Sequence, residues 1–106
     1  MILAFLLACA TSEDPCTTLC MDAADLYGGC LTSWGASWEA AGYADEADFL
    51  DACATWAWEG RQLEAEAGEP GATDAVCRSR DEAFTAEDAT CDDFTAVDWS
   101  AVPWRP

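Results

Sequence analysis

Residues 46–67 read EADFLDACATWAWEGRQLEAEA, and the spacing of the apolar residues in this stretch decides the fold. Phe49, Cys53, Trp56, Gly60 and Leu63 recur at steps of four, three, four and three, the period of one face of an α-helix. Asp48, Asp51, Thr55, Glu59, Gln62 and Glu66 make a polar stripe opposite. Trp58 belongs to neither stripe. It falls with Ala47, Ala54 and Ala65 on a strip of small residues, a second surface able to meet a neighbour. Asp45 is placed to cap the helix, Glu46 and Asp48 complement its dipole, and Gly68-Glu69-Pro70-Gly71 ends it.

Upstream, Pro15 suits a first helical turn, and Cys16, Leu19, Cys20, Ala23 and Leu26 continue at helical spacing. Gly28-Gly29 is a break or a kink, after which Cys30, Trp34, Trp38 and Ala41 resume the period until Gly42. The expectation is helices over about 16–27 and 30–41, or one kinked helix. Downstream, Thr73 is expected to cap a helix over about 74–87, with Val76, Cys77, Arg80, Ala83 and Phe84 inward. From Cys91 to Pro106 no period is sustained, so Phe94, Val97 and Trp99 belong to an irregular tail pinned by Cys91. The fold class that follows is all-α: a small bundle of three to four helices with an irregular C-terminal tail.

The bundle needs covalent help. A chain of 106 residues has room for one core. Beyond Cys9 its aliphatic residues are Leu19, Leu26, Leu31, Leu50, Leu63 and three Val. A net charge of −17, from 21 acidic residues against four Arg, adds self-repulsion. Cys16, Cys20, Cys30, Cys53, Cys77 and Cys91 therefore read as three disulfides, formed in an oxidising compartment. Six cysteines allow 15 pairings. A helical hairpin turning near residue 43 sets Cys30 level with Cys53 and Cys77 level with Cys20, which leaves Cys16 for Cys91.

The same charge limits function. It opposes nucleic acid and anionic lipid surfaces and favours cations or a basic protein surface as partner. With no His and no Lys there is no nucleophile–base constellation and no Schiff-base amine. Cys16-x-x-x-Cys20 lacks the second close pair expected of zinc, so no metal and no cofactor are assigned. Asp88, Asp92 and Asp93 form an acidic cluster without the spacing of a calcium loop, and a solvated helix end is the simpler reading. Trp34 and Trp38, one helical turn apart, are either a platform for a sugar or protein partner, or core aromatics packed on Cys30, Trp56 and Leu63. Trp58 is the third candidate for partner binding and the better one for exposure.

The N-terminus supplies the address. Met1 to Ala8 is an apolar run, and Leu6-Leu7-Ala8-Cys9 resembles the lipobox of bacterial lipoproteins. The resemblance implies that residues 1–8 are a signal segment removed by lipoprotein signal peptidase. It further implies that the Cys9 thiol carries diacylglycerol and that the new amino group is acylated, palmitate being the usual chain. No Lys or Arg precedes the run; an upstream start would supply one. The competing structural readings are a buried N-terminal segment, or a membrane span for which the run is too short. Residues 9–15 would then be a short tether to a single acidic domain over 16–106. Ala10, where an Asp would signal inner-membrane retention, points to the outer membrane of the cell envelope.

The expectation is thus a membrane-anchored exported lipoprotein acting as a non-catalytic binding or structural module. The alternatives are a soluble secreted binder or inhibitor, and a hydrolase built on paired carboxylates.

Overall fold

A computed structural model describes residues 14–95, and all four of its elements are helices: α1 (Pro15–Ser33), α2 (Glu46–Ala67), α3 (Ala72–Thr85) and α4 (Cys91–Thr95). The chain is an all-α, disulfide-stapled bundle. The segment 1–8, Cys9, most of the tether, and the tail residues Val97 and Trp99 lie outside the described residues.

Local chemistry accounts for each helix end. Asp14 caps α1, its carboxylate accepting from the Thr17 backbone N–H at 3.0 Å and the Thr17 hydroxyl at 2.9 Å, with Pro15 at the first position. Pro15 is therefore helical rather than part of a tether. Asp45 caps α2 by accepting from the Asp48 N–H at 2.9 Å, as its sequence position suggests. Gly68 closes α2 in the left-handed conformation, φ 70°, and the Glu69 N–H reaches back to the Glu64 carbonyl. Thr73 does not cap α3. Gly71 holds that position, with φ 83° and no side-chain bond, and Thr73 is fully buried within the first turn. At α4, Asp93 accepts from the Thr90 N–H at 2.7 Å, which uses part of the late acidic cluster to fix a helix end.

The expected break at Gly28-Gly29 does not occur, and neither does a helix over 30–41. α1 runs through both glycines to Ser33, and residues 34–45 are turns. Helix termination comes instead at Gly35, with φ 68°, one residue beyond the Trp34 C-cap. The loop then folds Trp38 back onto α1, where a Cβ at Gly28 would stand 3.6 Å from the indole. Gly28 thus lies under the Trp38 indole, Gly29 faces open space, and neither bends the helix.

The register of the bundle follows from its cross-links. Asp14 meets Arg61 and Cys20 meets Cys53, so α1 and α2 are antiparallel. Cys16 meets Cys77 and Asp22 meets Asp81, so α1 and α3 are parallel. The disulfides are Cys16–Cys77, Cys20–Cys53 and Cys30–Cys91, with Cα separations of 5.0, 5.8 and 5.8 Å. None of the expected pairs Cys30–Cys53, Cys20–Cys77 and Cys16–Cys91 forms. The reason is an overhang. Cys20 lies 13 residues before Ser33, whereas Cys53 lies seven after Glu46. At ~1.5 Å per residue, the last turns of α1 pass the start of α2 by about 9 Å. Cys30 is carried beyond the reach of Cys53 and meets α4 instead.

The core is small and aromatic. Leu19, Ala23, Phe49, Trp56, Cys77 and Phe84 are buried, and the Arg80 guanidinium lies 5.1 Å from the Trp56 ring centroid. At the loop end, Tyr27, Trp38, Tyr43 and Phe49 form one cluster with centroids 5.3–6.3 Å apart. Aromatic edges and sulfur fill the space that aliphatic side chains occupy in an ordinary bundle.

Candidate functional site

Trp58 cannot join the core because Trp56 and Ala57 already define the buried face of α2; the helix turns Trp58 outward. Its side chain is 61 % exposed. Ala54, one turn earlier, is too small to cover it, and across the helix interface Met21 of α1 is 55 % exposed. Between the two helices lies a groove of about 480 Å³. The Cys16 and Cys20 side chains and Ala57 form its floor, Leu50, Met21 and Trp58 its apolar walls, and Asp14, Arg61 and Asp51 its polar edges. A shallower depression continues past Trp58 to Thr55. Leaving a large apolar side chain in water forgoes about 1.5–3 kcal/mol of burial, so Trp58 and Met21 hold binding energy in reserve.

The closed end of the groove is a charge cluster. Arg61 Nη2 donates to Asp14 Oδ1 and, at 2.9 Å, to Asp74 Oδ1. Burial pushes the Asp14 carboxyl up, but hydrogen bonds from Thr17 and Arg61 and the Arg61 charge outweigh it and hold the group below the usual range. The hydrogen bond that Arg61 donates to Asp74 raises Arg61, burial opposes that, and Asp14 adds to the rise. Asp14, Cys16 and Asp74 have ligand atoms close together, as a metal site would require. Their chemistry is already committed. The Cys16 sulfur is in a disulfide and both carboxylates are bound by Arg61.

A second pair of acids meets on another face. Asp81 of α3 is pushed up to about 6, first by burial, then by a hydrogen bond and charge from Asp22 of α1, and by Glu82. One Asp81 oxygen is buried without a partner among the described residues. Two carboxyls with one raised value are what the hydrolase alternative requires. The two groups are hydrogen-bonded to each other, however, whereas glycosidases hold theirs about 5–9 Å apart around the substrate. Neither groove described above is lined by them. The arrangement is a carboxyl–carboxyl contact between α1 and α3.

The three candidate tryptophans separate completely. Trp34 and Trp38 do not form a platform, since no helix joins them. Trp34 is 53 % exposed at the end of α1, while Trp38 turns inward, edge-on to Tyr27 at 5.3 Å. Of the three, Trp58 lines the groove between α1 and α2, and Trp34 and Trp38 do not. Sequence reasoning does not single out Met21, Asp14, Arg61 or Asp74; the available signal for Asp14 is its position directly before Pro15, a helix-start pattern. Asp88 is exposed, and the Asp93 carboxylate is occupied by Thr90. Among the described residues no helix is long and apolar enough to cross a membrane. No family model, no curated protein and no solved structure matches this chain.

Proposed function

We propose that the chain is an exported bacterial lipoprotein, anchored to the envelope through lipid on Cys9, whose acidic helical domain works by non-covalent binding. The observation that carries this reading is the cysteine inventory. All six cysteines from Cys16 to Cys91 are consumed in three disulfides, which need an oxidising compartment, and Cys9 alone is left over. An anchored thioether is a chemically quiet fate for that odd thiol in such a compartment. Ala10 after Cys9 favours the outer membrane over the inner. The binding role is supported by Trp58 and Met21, held in water beside a groove on a rigid, cross-linked frame.

Intact-mass measurement of the protein isolated from a bacterial envelope tests the address. The expected mass lacks residues 1–8, carries diacylglycerol and a further acyl chain on Cys9, and is six hydrogens below the fully reduced chain. Detergent phase separation should place it with the lipids, and a Cys9→Ser variant in the aqueous phase. A chain retaining residues 1–8 with an unmodified Cys9 overturns the anchor. Water-phase partition of the wild-type protein would make it a soluble secreted binder instead.

A further inference from the structure

The groove between α1 and α2 lies in an electrostatic field of one sign. α1 carries Asp22 and Asp25 and no basic residue at all. α2 carries Glu46, Asp48, Asp51, Glu59, Glu64 and Glu66 against a single cation, Arg61. That cation is spent, because Asp14 and Asp74 bind it from both sides. Exposed Asp51 lies at the foot of Trp58, two helical turns away on α2, and exposed Asp25 lies one turn beyond Met21 on α1. Among the described residues, no cation is paired with Asp51 or Asp25 beside the apolar walls of the groove.

We propose that this groove docks a cationic amphipathic segment of another protein, its apolar side chains on Met21, Leu50 and Trp58 and its Lys or Arg residues against Asp51 and Asp25. The complementarity works at two distances. A chain of net charge −17 attracts a basic partner from afar and repels a second copy of itself. At contact, the exposed indole offers an apolar surface and a π face on which Lys or Arg can lie, and the unbranched Met21 side chain adapts to unlike apolar neighbours. The Cys20–Cys53 disulfide behind the groove holds its two walls at fixed spacing, so little ordering is lost on binding. This inference rests on the reading of the domain as a binding module but is independent of the lipid on Cys9.

The experiment uses the full oxidised chain and a Leu/Lys amphipathic peptide of about five helical turns, with a Leu/Glu peptide of the same apolar face as comparison. Binding is followed by calorimetry and by NMR shifts of the Trp indole N–H groups. The expected result is binding of the Leu/Lys peptide with the Trp58 signal displaced. Trp58→Ala should weaken it about tenfold or more, and Asp51→Asn severalfold. Trp34→Ala, which removes an equally exposed indole outside the groove, should leave it unchanged. High salt should weaken binding without abolishing it. Equal loss in Trp34→Ala, no loss in Trp58→Ala, or equal affinity for the Leu/Glu peptide overturns the proposal. So does Trp58-dependent self-association, or nuclear Overhauser contacts placing residues 96–106 in the groove. A chain that binds the peptide yet carries no lipid would refute the anchor and leave the docking surface standing.

Discussion

Asp14 and Arg61 are 47 residues apart in sequence, yet one carboxylate both caps α1 and binds the guanidinium of α2. The start of α1 is thereby tied to the latter part of α2, and through Asp74 to the start of α3. Three helices meet at one cation.

Removing that cation should expose two like charges to each other. Arg61→Gln is expected to lower stability by about 1 kcal/mol, the modest figure appropriate to partly exposed ion pairs. Asp14→Ala should cost more, about 1–2 kcal/mol, because the N-cap is lost together with the ion pair. A double-mutant cycle by urea denaturation separates the two contributions, and a coupling indistinguishable from zero would refute the linkage.

The two perturbed acids act in opposite directions with pH. Asp81 sits above its ordinary value of 3.8, at about 6, so the folded state holds a proton that the unfolded chain releases. Its contribution is complete below about pH 4 and is lost as pH rises through about 6. Asp14 sits below its ordinary value, so its contribution is present above about pH 4 and lost as pH falls through its folded value. Melting temperature should therefore fall between pH 4 and pH 6 on the alkaline side of a mildly acidic optimum. Asp81→Asn should flatten that slope; a slope unchanged in the variant would assign it to the acidic surface as a whole.

Gly29 is an exposed helical residue whose φ is not positive, and a Cβ added there would meet nothing within 4 Å. Gly29→Ala should raise stability by about 0.5–1 kcal/mol through helix propensity alone. Thermal unfolding reads this directly, and a destabilised variant would mean that α1 does bend there.

Cys16 and Cys77 are buried in the core, whereas Cys91 belongs to the short α4. Both their bridges close loops of the same separation, 61 residues, each restricting the unfolded chain by about 4 kcal/mol in the entropic account. Replacing Cys16 and Cys77 by Ala should nevertheless cost more than replacing Cys30 and Cys91, because it also opens a cavity among Leu19, Trp56 and Phe84. Equal losses in denaturant midpoint would show that chain entropy alone sets the contribution.

The helices are legible in the sequence wherever period and punctuation agree. The run from Phe49 to Leu63 between Asp45 and Gly68 is α2 to the residue. Gly28-Gly29 misleads because a helical glycine costs only about 1 kcal/mol, too little by itself to end a helix that is capped at Asp14 and packed along its length. The cysteine pairing escapes a sequence reading for the same reason. Taking residues 34–41 as helix moves the hairpin vertex, and every level shifts with it. The groove is half legible: Trp58 is visible as an aromatic without a place in its helix, but Met21 sits beside it only because of the α1–α2 register. Arg61 gives no local signal, since both of its partners lie on other elements.

Every disulfide has one half in α1, at Cys16, Cys20 or Cys30, and the other in a different helix. No two of the outer helices are bridged to each other, so α1 is a hub with three covalent spokes. A protease cutting in residues 34–45, 68–71 or 86–90, or in all three, would leave every fragment still attached to α1. Such a molecule can be nicked at each of its connections and remain a single particle, its mass lowered on a gel only after reduction. Wherever hydrolytic enzymes are abundant, that wiring would make the loops expendable as backbone.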